Sequence, residues 1–104
     1  MKQQDGRRRN TMVKHIVCHK YTDKAEAEKI APMLMGLVGK VPSLRSMQAG
    51  KDFIGSNRSY HLALVAEFDD KADLDQYQNH PEHVKVKDYI HTVLTDSVSV
   101  DFEF

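Results

Sequence analysis

Residues 60–90, YHLALVAEFDDKADLDQYQNHPEHVKVKDYI, contain the change of period that decides the fold. Tyr60, Leu62, Leu64, Ala66 and Phe68 recur at every second position, with His61, Ala63, Val65 and Glu67 on the opposite face, which predicts a strand. Asp70 then supplies a helix cap and Asp73 an acidic first turn for a short helix carrying Leu74 and Tyr77. Pro81 suits the first turn of a further helix, where its missing amide hydrogen is not needed. Val86, Ile90 and Val93, widened by Tyr89 and Leu94, form the apolar stripe of that helix.

Upstream, MVKHIVCHKY (residues 12–21) reads as a strand with apolar groups on both faces. Val13, His15, Val17 and His19 share one face; Lys14, Ile16, Cys18 and Lys20 share the other. Asp23 with Glu26 predicts a capping box, and Ala27, Ile30, Leu34, Leu37 and Val38 a helical stripe behind it. Pro32 predicts a kink or break in that helix, and Gly39 and Pro42 a loop that ends it. Residues 43–53 read as a more polar strand with a bulge or turn at Gly50. Downstream, Val98, Val100, Phe102 and Phe104 alternate with Ser97, Ser99, Asp101 and Glu103, a last strand.

The resulting order, β-α-β-β-α-β, predicts an α+β, ferredoxin-like fold: a four-stranded antiparallel sheet with helices on one face. The other face would leave Ile16, Cys18 and the C-terminal phenylalanines in water. An apolar surface of that breadth predicts a homodimer that pairs two sheets face to face, a dimeric α+β barrel.

The chain's 104 residues allow one domain. Its formal charge of zero divides unevenly. Residues 1–11 hold Lys2, Arg7, Arg8 and Arg9 against Asp5, and the rest is acidic by the same margin. The first segment has no apolar residue besides Met1, so it reads as a disordered basic extension, with the domain at 12–104. An acidic domain without a basic stripe excludes nucleic acid. No apolar run approaches the roughly 20 residues that span a membrane. A single cysteine and no secretory leader predict a cytoplasmic protein.

VKHIV at 13–17, LVGKVPSLRSMQAG at 37–50, the 60–90 segment with its Tyr-x-x-His-Pro-x-His core from Tyr77 to His83, and the terminal VSVDFEF together resemble the stress-responsive α/β-barrel domain family of the dimeric α+β barrel superfamily. Most members of that family have no assigned activity. The plant olivetolic acid cyclase, a distant enzymatic relative, closes a linear polyketide without a cofactor. The resemblance implies that Tyr77 and His83 match its catalytic pair and that His15 matches a histidine on its first strand. Leu62 stands where it has a further pocket histidine, with His61 one position away on the opposite face.

The residues themselves point the same way. His83 continues the stripe of Val86, Ile90 and Val93, Tyr77 faces inward from the preceding helix, and His15 converges with them if the helices cover its face of the first strand. These three are the candidate catalytic residues: an imidazole titrating near neutrality as base, and a phenol to orient or protonate an oxygen. Three uses stay open. They are a hydrogen-bonded structural cluster, a pocket for a small apolar or aromatic ligand, and acid–base catalysis by a cofactor-free cyclase or lyase. His80, His83 and His15 are also the three histidines a zinc site would draw on, but no carboxylate stands in an obvious supporting position, and the reading assigns no metal and no cofactor. If a pocket exists, an enclosed cavity beside His83 is expected.

Overall fold

The computed structural model describes residues 11–104; the basic extension expected over residues 1–11 lies, but for Thr11, outside them. Four strands, β1 (Val13–Tyr21), β2 (Ser46–Lys51), β3 (Leu62–Phe68) and β4 (Leu94–Glu103), form one antiparallel sheet in the order β2-β3-β1-β4. Helices α1 (Glu26–Met35), α2 (Lys71–Asn79) and α3 (Pro81–Val93) pack on one face. This is the ferredoxin-like arrangement, with its second helical region divided in two at His80.

Alternation places the core. Every second residue of β1 from Val13 to Tyr21 is buried, and so is every second residue of β3 from Leu62 to Phe68. Ala27, Ile30, Ala31 and Leu34 meet them from α1, Tyr77 from α2, and His83, Val86 and Ile90 from α3. Each fully buried aliphatic or aromatic side chain contributes about 1.5–3 kcal/mol to this packing. The opposite sheet face is open: Val98, Val100, Phe102 and Phe104 are all exposed.

Several local expectations are corrected. Helix α1 begins at Glu26 with Ala25 as its cap and no side-chain cap bond. Asp23 instead accepts the Ala25 N–H at 2.9 Å, and the Glu26 carboxylate accepts the Tyr89 hydroxyl at 2.6 Å, tying α1 to α3. Pro32 does not break the helix: it removes one backbone bond on an exposed face, and the helix continues to Met35. The helix stops at Met35, so Leu37 is buried from the following loop, where Gly39 adopts a left-handed φ of 92°. Gly50 pairs regularly with Ala63; the irregularity lies between Lys20 and Tyr21, where the β1–β4 register shifts. The second strand is shorter than expected, and Phe53 is exposed in the loop after it.

Candidate functional site

The site is assembled where α2 meets α3 over the first half of β1. Asp70 caps α2 by accepting the Asp73 N–H at 2.8 Å, and a helix started there brings Tyr77 inward, 1% exposed. Pro81 opens α3, and two residues later His83 also turns toward the sheet, 8% exposed. The Tyr77 and His83 rings stack, with centroids 4.1 Å apart and planes inclined by 28°. Phe68 of β3 also packs on Tyr77, with ring centroids 5.1 Å apart.

His15 reaches this region from β1 and is 9% exposed. Its Nδ1 is hydrogen-bonded to Asp101 Oδ1, which stands directly opposite on β4. Asp101 is the supporting carboxylate that the sequence reading did not find. The alternation of β4 put it on the helix side of the sheet, but only the β1–β4 register shows that it faces His15.

Hydrogen bonding fixes which imidazole nitrogen is free. The His83 Nδ1–H donates to the Gln78 carbonyl at 3.3 Å. A carbonyl only accepts, so the neutral His83 ring carries its lone pair on Nε2. His15 is held in the same way, its Nδ1–H donating to the Asp101 carboxylate, which leaves the Nε2 lone pair of the neutral ring free. Burial holds the His83 imidazole below its ordinary value of 6.5; the Gln78 carbonyl opposes this, while Lys87 and His15 push it further down. Burial also raises the Tyr77 phenol far above its ordinary range, so it remains a donor throughout the neutral region.

The expected enclosed cavity beside His83 is not found among the described residues. The opening nearest the site is a groove of about 550 Å³ between α2 and β4, lined by Val13, Leu74 and Phe102 with Lys71, Gln78 and Asp101 among its polar groups. His15, Tyr77 and His83 do not line it themselves; Asp101 and Gln78, which bond to the two imidazoles, do. His80 spends its Nδ1 on the Glu82 N–H rather than joining a ligand set. Among the described residues no three His, Cys, Asp or Glu side chains are gathered to hold a metal ion, and no helix is long and apolar enough to cross a membrane.

A second polar cluster, which no motif or spacing marks, occupies the other end of β1. His19 is buried with its Nδ1 2.9 Å from the Tyr21 hydroxyl. The Tyr21 N–H donates to His61 Nδ1 at 3.0 Å. Burial, reinforced by His91, lowers the His19 imidazole.

Comparison with known proteins agrees with the fold. A dimeric protein of unknown function and ferredoxin-like fold from Bacteroides fragilis is 29% identical, with a TM-score of 0.81 over 89% of this chain and 96% of that one. A dimeric ferredoxin-like protein of unknown function from Thermobifida fusca is 24% identical, with a TM-score of 0.80 over 99% and 100% of the two chains. The hydroxynitrile lyase of Passiflora edulis shares the fold at 16% identity, with a TM-score of 0.78 over 92% of this chain and 95% of that one. No curated protein matches the sequence. Residues 13–104 match the stress responsive A/B barrel domain throughout, and the chain belongs to that family.

Proposed function

We propose that the protein is a homodimer whose subunits each bind a small apolar or aromatic molecule bearing a hydroxyl or carbonyl group. The ligand would sit in the groove between α2 and β4. One observation carries this reading: Asp101 lines the groove and holds the buried His15 by its Nδ1. Val13 and Leu74 supply an apolar bed, and Gln78 and Asp101 connect the groove to the His83 and His15 rings. The dimer reading draws on the exposed Val98, Val100, Phe102 and Phe104 and on the dimeric relatives. A cytoplasmic, reducing setting suits Cys18, a free thiol on that same sheet face.

The test is a fragment screen read by NMR on the whole protein, using phenols and aryl ketones as probes. Binding is expected to shift the Leu74, Gln78, Asp101 and Phe102 signals together with the His15 and His83 ring protons. Shifts confined to other surfaces would remove the groove from consideration. Light scattering at micromolar concentration is expected to give a dimer, and Val100→Asp a monomer. A monomeric parent protein would overturn the dimer reading.

A second reading, cofactor-free acid–base catalysis of the cyclase or lyase type, is favoured by the Nε2 lone pairs left on His15 and His83. His83 would take a proton from carbon, Tyr77 would donate to the substrate oxygen, and His15 would assist. A lyase, the hydroxynitrile lyase of Passiflora edulis, is built on the same fold. An activity that survives His83→Ala undiminished would end this assignment.

A further inference from the structure

His80 belongs to two helices at once. Its N–H donates to the Tyr77 carbonyl at 3.2 Å and closes α2. Its Nδ1 accepts the Glu82 N–H at 3.1 Å and opens α3. Its carbonyl accepts the Val84 N–H at 2.9 Å. Tyr77 lies three residues before this junction and His83 three after it, so the two stacked rings hang from opposite sides of one residue.

The chemistry of the cap dictates a protonation state. An amide N–H only donates, so His80 Nδ1 must present a lone pair, with the ring proton on Nε2. An imidazolium has no acceptor. Protonation therefore removes the cap and places a cation at a helix N-terminus, where the aligned peptide dipoles disfavour it. The charged groups around the cap are Glu82 and Lys85 of α3, paired at 3.1 Å, and Lys40 from the loop after α1. Lys85, then Lys40, hold the Glu82 carboxyl below its usual range, so Glu82 stays anionic beside the neutral ring.

We propose that His80 is the positioning residue for His83 and that it holds His83 only as the neutral imidazole. When His80 is protonated, the first turn of α3 loosens and the His83 ring parts from Tyr77. This deepens the proposed function, because it rests on His83 being a working group of the site. Its consequence is read on ring geometry, so it stands or falls without reference to ligand or turnover.

The test compares the parent protein, His80→Asn and His80→Ala by NMR between pH 8 and pH 5. Asparagine keeps a cap acceptor that does not titrate; alanine removes the cap at every pH. In the parent, the Glu82 amide and the His83 ring protons, shifted by the stacked Tyr77, are expected to move together with the His80 titration. In His80→Asn that joint movement disappears and only the titration of His83 itself remains. In His80→Ala the Val84 amide exchanges about fivefold faster even at pH 8. A joint movement that persists in His80→Asn overturns the proposal. So does a Glu82 amide that does not respond while His80 titrates in the parent. If the alanine variant does not fold, the asparagine comparison decides alone.

Discussion

His15 and Asp101, 86 residues apart in the chain, face one another on β1 and β4 and are joined through Nδ1 and Oδ1. The contact fixes the orientation of a buried imidazole from the wall of an open groove. A ligand in that groove would therefore sense the His15 ring through the carboxylate, which makes Asp101 the residue to alter first.

Asp101→Asn keeps the shape of the side chain and removes its charge. Asp101 is partly exposed, so the loss in stability should be about 1 kcal/mol or less, read from the urea midpoint. Affinity for a groove ligand should fall about tenfold in calorimetry, the equivalent of one charge-assisted hydrogen bond. Unchanged affinity would separate Asp101 from binding.

Stability should fall on acidification below about pH 6.5. Burial lowers the folded-state values of both His19 and His83, whereas unfolded histidine titrates near 6.5. Between those values the unfolded chain binds more protons, so stability increases with pH there. The loss on acidification levels off once the folded-state rings are also charged. Urea unfolding at pH 7.5, 6.5 and 5 would show the slope, and the double variant His19→Gln, His83→Gln should flatten it. A protein equally stable at all three values would contradict this account.

Tyr77 separates packing from chemistry. Tyr77→Ala empties a core position between Phe68 and His83 and should cost about 3–5 kcal/mol in chemical denaturation. Tyr77→Phe keeps both ring contacts and should cost about 1 kcal/mol or less. If the hydroxyl serves a substrate oxygen, Tyr77→Phe should nonetheless lower turnover about a hundredfold. Equal effects of the two variants on stability would show that the Tyr77 ring contributes little to the packing.

Pro32 offers a gain. It is exposed in the interior of α1 and supplies no amide hydrogen to the helix ladder. Pro32→Ala restores that donor and should stabilise the protein by on the order of 1–3 kcal/mol, measurable as a higher thermal midpoint. No gain would indicate that the ring restrains the unfolded chain as much as it disturbs the helix.

The sheet and its buried face were legible because a period of two places alternate residues of β1 and β3 on one side whatever their partners are. Helices α2 and α3 were legible for a similar reason: Asp70 and Pro81 act within a turn of where they stand. The ends of helix α1 were not legible. The Asp23 carboxylate bonds within its own turn, and Glu26 is drawn to Tyr89, a residue 63 positions away that no local pattern reveals.

The sequence alone determined that Tyr77, His83 and His15 point toward a helix–sheet interface, since side-chain direction follows from helical and strand periods. Only the tertiary structure decided what those rings do there. It stacked Tyr77 on His83, gave His83 to the Gln78 carbonyl and His15 to Asp101, and opened the groove beside the rings. The physical reason is that orientation is a local property of backbone geometry, whereas a hydrogen-bond partner depends on strand register and helix docking, and those are settled by the packing of the whole core.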